Sequence, residues 1–186
     1  LAHSPERFRF PRNAHLHDWT FVAIKVWSGK ANDVLLSAEV KDSGEMNDSY
    51  ALGRFVRAQE GNYERALCEI RKGRKQSHWM WYIFPQIEGL GFSAMSQRYA
   101  IKSPAEATAY LGHAVLGPRL IACVEELLGL EDHSANEIFG FPDDKKLRSC
   151  ATLFASVSPP GSVFHRLLDK YFQGEPDPAT LRRLQA

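Results

Sequence analysis

GRKQSHWMWYIFPQIEGLGFSA, residues 73–94, decides the fold class of this chain. Its last six residues, Gly89-Leu90-Gly91-Phe92-Ser93-Ala94, match the G-x-G-x-x-A turn of a dinucleotide-binding α/β fold. That turn works only after a strand, inside a βαβ unit, with an acidic residue about 20 positions on. Pro85 interrupts the strand that would have to precede it, because proline cannot donate to a ladder. Helical patterning follows. The two glycines therefore read as a tight turn before a helix, and the fold class as all-α.

Helix signals run outward from this stretch in both directions. Leu52, Phe55 and Val56 form one apolar stripe. Tyr63, Ala66, Leu67 and Ile70 form another, closed by Gly73 as a C′ residue. The basic run Arg71-Lys72-Gly73-Arg74-Lys75 reads as a helix end, where cations suit the dipole, or as an anion site. Ser103-Pro104-Ala105-Glu106 is a capping box with proline in the first turn of a helix that stops at Gly112. Gly117-Pro118 opens a further helix, with Leu120, Ile121, Val124, Leu127 and Leu128 on one face and Gly129 at its end. Ser134 and Glu137 make a second capping box. Leu147, Ala151 and Phe154 mark another helix, stopped by Pro159-Pro160-Gly161. Phe164, Leu167, Leu168, Tyr171 and Phe172 mark the next, ended by Gly174, and Asp177-Pro178 starts a last short one.

The expected architecture is one all-α, compact helical domain over residues 46–186. Residues 1–45 form an N-terminal extension of different character. There Phe21–Trp27 and Val34–Val40 flank a turn-like cluster, as in a β-hairpin, although the second run would also suit a short helix.

Of 186 residues, 44% are apolar and 24% charged, as in an ordinary globular domain, and the formal net charge is +1. That balance gives no footprint for nucleic acid or an anionic membrane. No apolar run approaches the ~20 residues that span a bilayer. Three dispersed cysteines, Cys68, Cys123 and Cys150, fit a reducing compartment and buried packing. With no h-region near Leu1, the expected location is cytoplasmic. His15 and His17 lack a third ligand nearby, so no metal and no cofactor is implied.

Ser77-His78-Trp79-Met80-Trp81-Tyr82-Ile83-Phe84-Pro85-Gln86 is too short to assign by periodicity. If helical, it puts His78 and Trp81 on one face and Trp79, Tyr82 and Ile83 on another. Large aromatics are the usual filling of a core. Yet two indoles, an imidazole, a phenol and an amide each need a polar partner when buried. The same groups would suit a planar ligand with an anionic part, such as a nucleotide.

The stretch from Leu52 to Leu184 resembles a bacterial family of unknown function that often carries the label calpastatin. The resemblance rests on Arg54-Phe55-Val56, Ala58-Gln59, the SHWMWYIFPQ signature at 77–86, Gly89-Leu90-Gly91, Tyr99-Ala100-Ile101, Ile138-Phe139-Gly140 and Thr152-Leu153-Phe154. Ala114 and Cys150-Ala151 depart from the family pattern, where proline and Ser-Met are usual. The resemblance implies a compact helical domain with no settled activity. Calpastatin itself resembles a disordered, repeated inhibitor, unlike this folded, unrepeated chain. Tyr99–Ala107 is also faintly similar to a segment of the NADAR family, whose members look like helical hydrolases of ADP-ribose-type N-glycosides. The same residues are what a capped helix start requires.

The leading expectation is a small-molecule or nucleotide pocket, ADP-ribose-like and hydrolytic if the faint similarity holds. His78 would be acid, base or donor, since its unperturbed pKa of about 6.5 suits that work. Trp79 and Trp81 would be stacking walls, Gln86 and Tyr99 would orient polar groups, and Arg74 or Lys75 would hold the anion. Ser77 and Ser93 would add hydroxyls. The alternative is a non-enzymatic protein-interaction module, with the signature as core and an exposed apolar patch elsewhere. A third places function on the extension.

Overall fold

Ten helices run through residues 49–186, the residues described in this computed structural model. They are α1 (Gly53–Gln59), α2 (Tyr63–Arg71), α3 (Met80–Ile83), α4 (Ala94–Arg98), α5 (Pro104–Gly112), α6 (Leu116–Gly129), α7 (Ala135–Phe139), α8 (Asp143–Ser156), α9 (Val163–Phe172) and α10 (Pro178–Leu184). The chain divides into Leu1–Ser43 and Gly44–Ala186. The hairpin expected within residues 1–45, and His15 and His17, lie outside the described residues.

The described residues hold no strand. A single parallel bridge joins Ile87 to Ile101, closed by Glu88 N–H on the Ile101 carbonyl (2.8 Å) and Ile101 N–H on that of Gln86 (2.9 Å). No βαβ unit surrounds Gly89–Ala94, and Gly89 sits at φ +86° in the turn before α4, in the left-handed region that glycine tolerates.

α8 is the centre. Every residue from Ser149 to Ala155 is buried, so it is packed on all sides, and α5, α7, α9 and α10 surround it. Its two buried hydroxyls donate within the helix, Ser149 to the Lys145 carbonyl (3.1 Å) and Thr152 to that of Arg148 (2.8 Å). Cys123 and Cys150 lie in this core, where burial pushes the Cys123 thiol up to about 12 and raises that of Cys150 well above its ordinary value. Cys68 departs from expectation. It is exposed, because α2 turns Ala66, Leu67 and Ile70 inward and leaves Cys68 on the outer face.

The caps follow the sequence closely. Ser134 and Glu137 form both halves of their box, and Asp177 accepts the Thr180 N–H at 2.8 Å. Gly73, at φ +62°, closes α2 in a Schellman motif, with its N–H on the Ile70 carbonyl and that of Arg74 on Glu69. Two starts differ. Ser103 accepts the Glu106 N–H (3.1 Å), but the Glu106 carboxylate binds Lys102 N–H and Arg54 instead of returning to Ser103. α6 begins at Leu116, ahead of Gly117-Pro118. His113 Nδ1 accepts the N–H groups of Val115 and Leu116 there, which fixes the ring proton on Nε2. Gly117 instead permits the 88° corner between α5 and α6, since a Cβ there would sit 2.0 Å from the Leu111 carbonyl oxygen.

Candidate functional site

The signature is divided between core and surface. α3 is a single turn, stopped by Pro85, with Trp79 at its N-cap. Trp79, Tyr82 and Ile83 are buried, Trp81 is half-buried and His78 is exposed, which is the division a helical turn imposes.

The buried half is organised by Glu69, a residue the expectation omitted. The Schellman turn brings the chain back over the end of α2. The Glu69 carboxylate then accepts N–H bonds from Gln76 (2.8 Å), Ser77 (3.0 Å) and the Trp79 indole (2.8 Å), and the Ser77 hydroxyl at 2.5 Å. Burial pushes this carboxyl up, but the four donors outweigh it and hold it at about 2. Trp79 is 1% exposed and lies edge-on to Phe139, with Phe84 tilted against it and the Lys75 ammonium 5.3 Å from its ring centre. It has no open face for a ligand, so its role as a stacking wall is corrected to core. Tyr99 is likewise buried against Phe55 and Tyr82. Ser77 is committed to Glu69.

Lys75 was expected to hold an anion. Its side chain is 9% exposed and pairs with Asp143 at 2.7 Å, so it holds a carboxylate of its own chain. Asp143 also takes Lys146 at 2.7 Å. Burial pushes the Asp143 carboxyl up, and the hydrogen bonds from Lys146 and Lys75 outweigh it, so the net shift is down. Two cations share one anion, and the surplus charge is positive.

Of these three, Lys146 lines a cleft of about 550 Å³. Three expected residues meet there: Trp81, Gln86 and Ser93. The Lys146 ammonium lies 4.9 Å from the Trp81 ring centre, and Phe92, Ser96, Lys145, Ser149 and Asp177 join the lining. Ser93 also caps α4 by accepting Ser96 N–H (3.1 Å). Arg74 and His78 are exposed and are not among the lining residues. The lysines of α8 were missed because they read as the polar start of a helix.

A second cavity, about 490 Å³, is lined by Arg54, Arg98, Lys102 and Glu106 among others. The Arg54 guanidinium is engaged within the chain. Arg54 donates to the carbonyls of Tyr50, Ala51, Arg98 and Ala100 and to buried Glu106 at 2.5 Å, as a structural clamp would. Among the described residues no group of three or more His, Cys, Asp or Glu side chains could hold a metal ion, and no single helix is long and apolar enough to cross a membrane.

A family model described as "Protein of unknown function (DUF1810)" matches residues 49–184, and the chain belongs to that family. The crystal structure of the conserved hypothetical protein Rv1873 from Mycobacterium tuberculosis is 46% identical, with a TM-score of 0.73. The match covers 75% of this chain and 99% of that one. No curated protein sequence matches. Neither match names an activity, and neither carries the calpastatin label.

Proposed function

We propose that the cleft between the 86–96 segment and the start of α8 binds a small planar anion of nucleotide type. The carrying observation is the pairing of an accessible indole, Trp81, with an ammonium, Lys146, 4.9 Å from its ring centre in a cleft of about 550 Å³. Pockets of roughly 300–1,000 Å³ suit ligands of this size. Gln86 and Ser93 add polar groups that can fix orientation. ADP-ribose belongs among the ligands to try because of the faint similarity at Tyr99–Ala107. His78 is assigned no step.

The test is thermal shift and tryptophan fluorescence of the full chain with AMP, ADP-ribose and inorganic phosphate. Lys146→Met is the variant to compare, because Asp143 keeps its bond to Lys75. The expected result is a raised Tm and a changed emission in wild type, both lost in Lys146→Met. No response to any of the three in wild type overturns the proposal. The second reading, a protein-interaction module, is favoured by two side chains, Phe92 at 90% and Phe141 at 74% exposure. It predicts that outcome.

A further inference from the structure

We infer that Phe92 closes over the ligand's planar group, and that this ring makes the cleft select nucleotides over bare sugar phosphates. The inference rests on the cleft being a ligand site, as proposed above.

Phe92 lines the cleft yet is 90% exposed, more than any other large apolar side chain among the described residues. A phenyl ring is normally a major contributor to buried apolar surface. This one contributes almost nothing to the folded chain's own burial, and a bound ring system would supply what it lacks.

The backbone beneath it is held. Ser93 accepts Ser96 N–H, Ser96 donates back to the Ser93 carbonyl (2.8 Å), and Gln97 reaches the Phe92 carbonyl (3.4 Å). Arg183 donates to the Gly89 carbonyl (3.2 Å). At Gly91 a Cβ would stand 2.7 Å from Ser96. Phe92 can therefore move by side-chain rotation alone, a change that needs no rearrangement of the turn.

Trp81 supplies a second ring to the same cleft from α3. Charge comes from α8. Lys145 is placed 4.9 Å from the centre of the Phe141 ring, next to lining residue Pro142, and Lys146 lies over Trp81. The one carboxylate in the lining, Asp177, is occupied by the N–H and hydroxyl of Thr180 (2.8 and 2.7 Å). Two rings and two ammonium groups suit one planar and one anionic group on the same molecule, which is the chemistry of a nucleoside phosphate.

The experiment titrates the full chain with AMP and with ribose 5-phosphate, following fluorescence and heat, on wild type, Phe92→Ala, Phe92→Tyr and Lys146→Met. Wild type is expected to bind AMP at least about fivefold tighter than ribose 5-phosphate, the low end of what stacking one base on an aromatic ring supplies. Phe92→Ala should weaken AMP at least about fivefold, leave ribose 5-phosphate unchanged and leave the ligand-free Tm unchanged. Phe92→Tyr should restore the preference. If Lys146→Met abolishes AMP binding while Phe92→Ala leaves it unchanged, the site stands and the role of Phe92 is overturned. If wild type binds neither ligand, both fall.

Discussion

Glu69→Gln removes a charge while keeping every heavy-atom position, so it isolates what the buried carboxylate contributes. Oε2 accepts the N–H groups of Gln76, Ser77 and Trp79, and Oε1 accepts the Ser77 hydroxyl. With its oxygen in the Oε2 position, glutamine keeps the three N–H bonds, now neutral. Its amide can donate to Ser77, whose hydroxyl turns to accept. A hydrogen bond to a charged group is worth about 1.5–3 kcal/mol and a neutral one about 0.5–1.5. Losing about 1 kcal/mol at each of three bonds, with some sharing among them, gives a destabilisation of about 2–3 kcal/mol at neutral pH. The pH dependence has a definite sign. The native carboxyl sits at about 2 against an ordinary 4.5, so the unfolded chain binds its proton first as pH falls. Stability from Glu69 is therefore complete above about 4.5 and is lost as pH falls towards about 2. Urea unfolding of both proteins across that window measures it. Asp143 and the other acids titrate in both, so they cancel in the difference. The gap between wild type and Glu69→Gln should be full at neutral pH and nearly closed at the acid end. An equal gap at both ends, or none at neutral pH, refutes the reasoning.

Other expectations follow from close contacts and burial. Gly117→Ala puts a Cβ 2.0 Å from the Leu111 carbonyl oxygen and should cost at least about 1–3 kcal/mol, read as a lowered Tm, because backbone cannot give way there. Asp143→Asn leaves the largely buried Lys75 without its counter-charge and should cost about 2–3 kcal/mol, below the full figure for a buried pair because Asp143 is partly exposed. Urea unfolding at neutral pH checks it. A thiol reagent should find one fast cysteine, Cys68, in the native protein and all three in denaturant. Two fast native thiols would contradict the burial of Cys123 and Cys150.

The parts of the fold legible in the sequence were those that one local stretch determines. Ser134, Asp177 and Gly73 act within their own turn, so three or four residues carry the whole signal. The Ser103 box was half legible, because Arg54 competes for Glu106 from a distant helix. Gly117 was placed near a helix start for the wrong reason, since its backbone contact depends on the angle between two helices. Lys75, in the segment between α2 and α3, meets Asp143 at the start of α8, 68 positions on, and no local pattern announces that. Cys68 shows the reverse failure, an apolar-looking position whose face is set by which neighbours the helix meets.

The buried and the half-buried tryptophan of SHWMW are linked through one carboxylate. Asp143 holds Lys75 over the buried Trp79 and Lys146 over the accessible Trp81. A core needing only volume has no use for this ion group, since apolar residues of similar size do as well or better than a buried pair. A solvent-facing site built without it would leave the lysine of a first helical turn free to rotate into water. Joined as they are, the packing of Trp79 sets the position of Asp143, and Asp143 sets the position of the ammonium at the cleft. Under the proposed reading of the cleft, the aromatic core is the rigid support that holds a charge beside a half-buried ring, the preorganisation that would favour binding there.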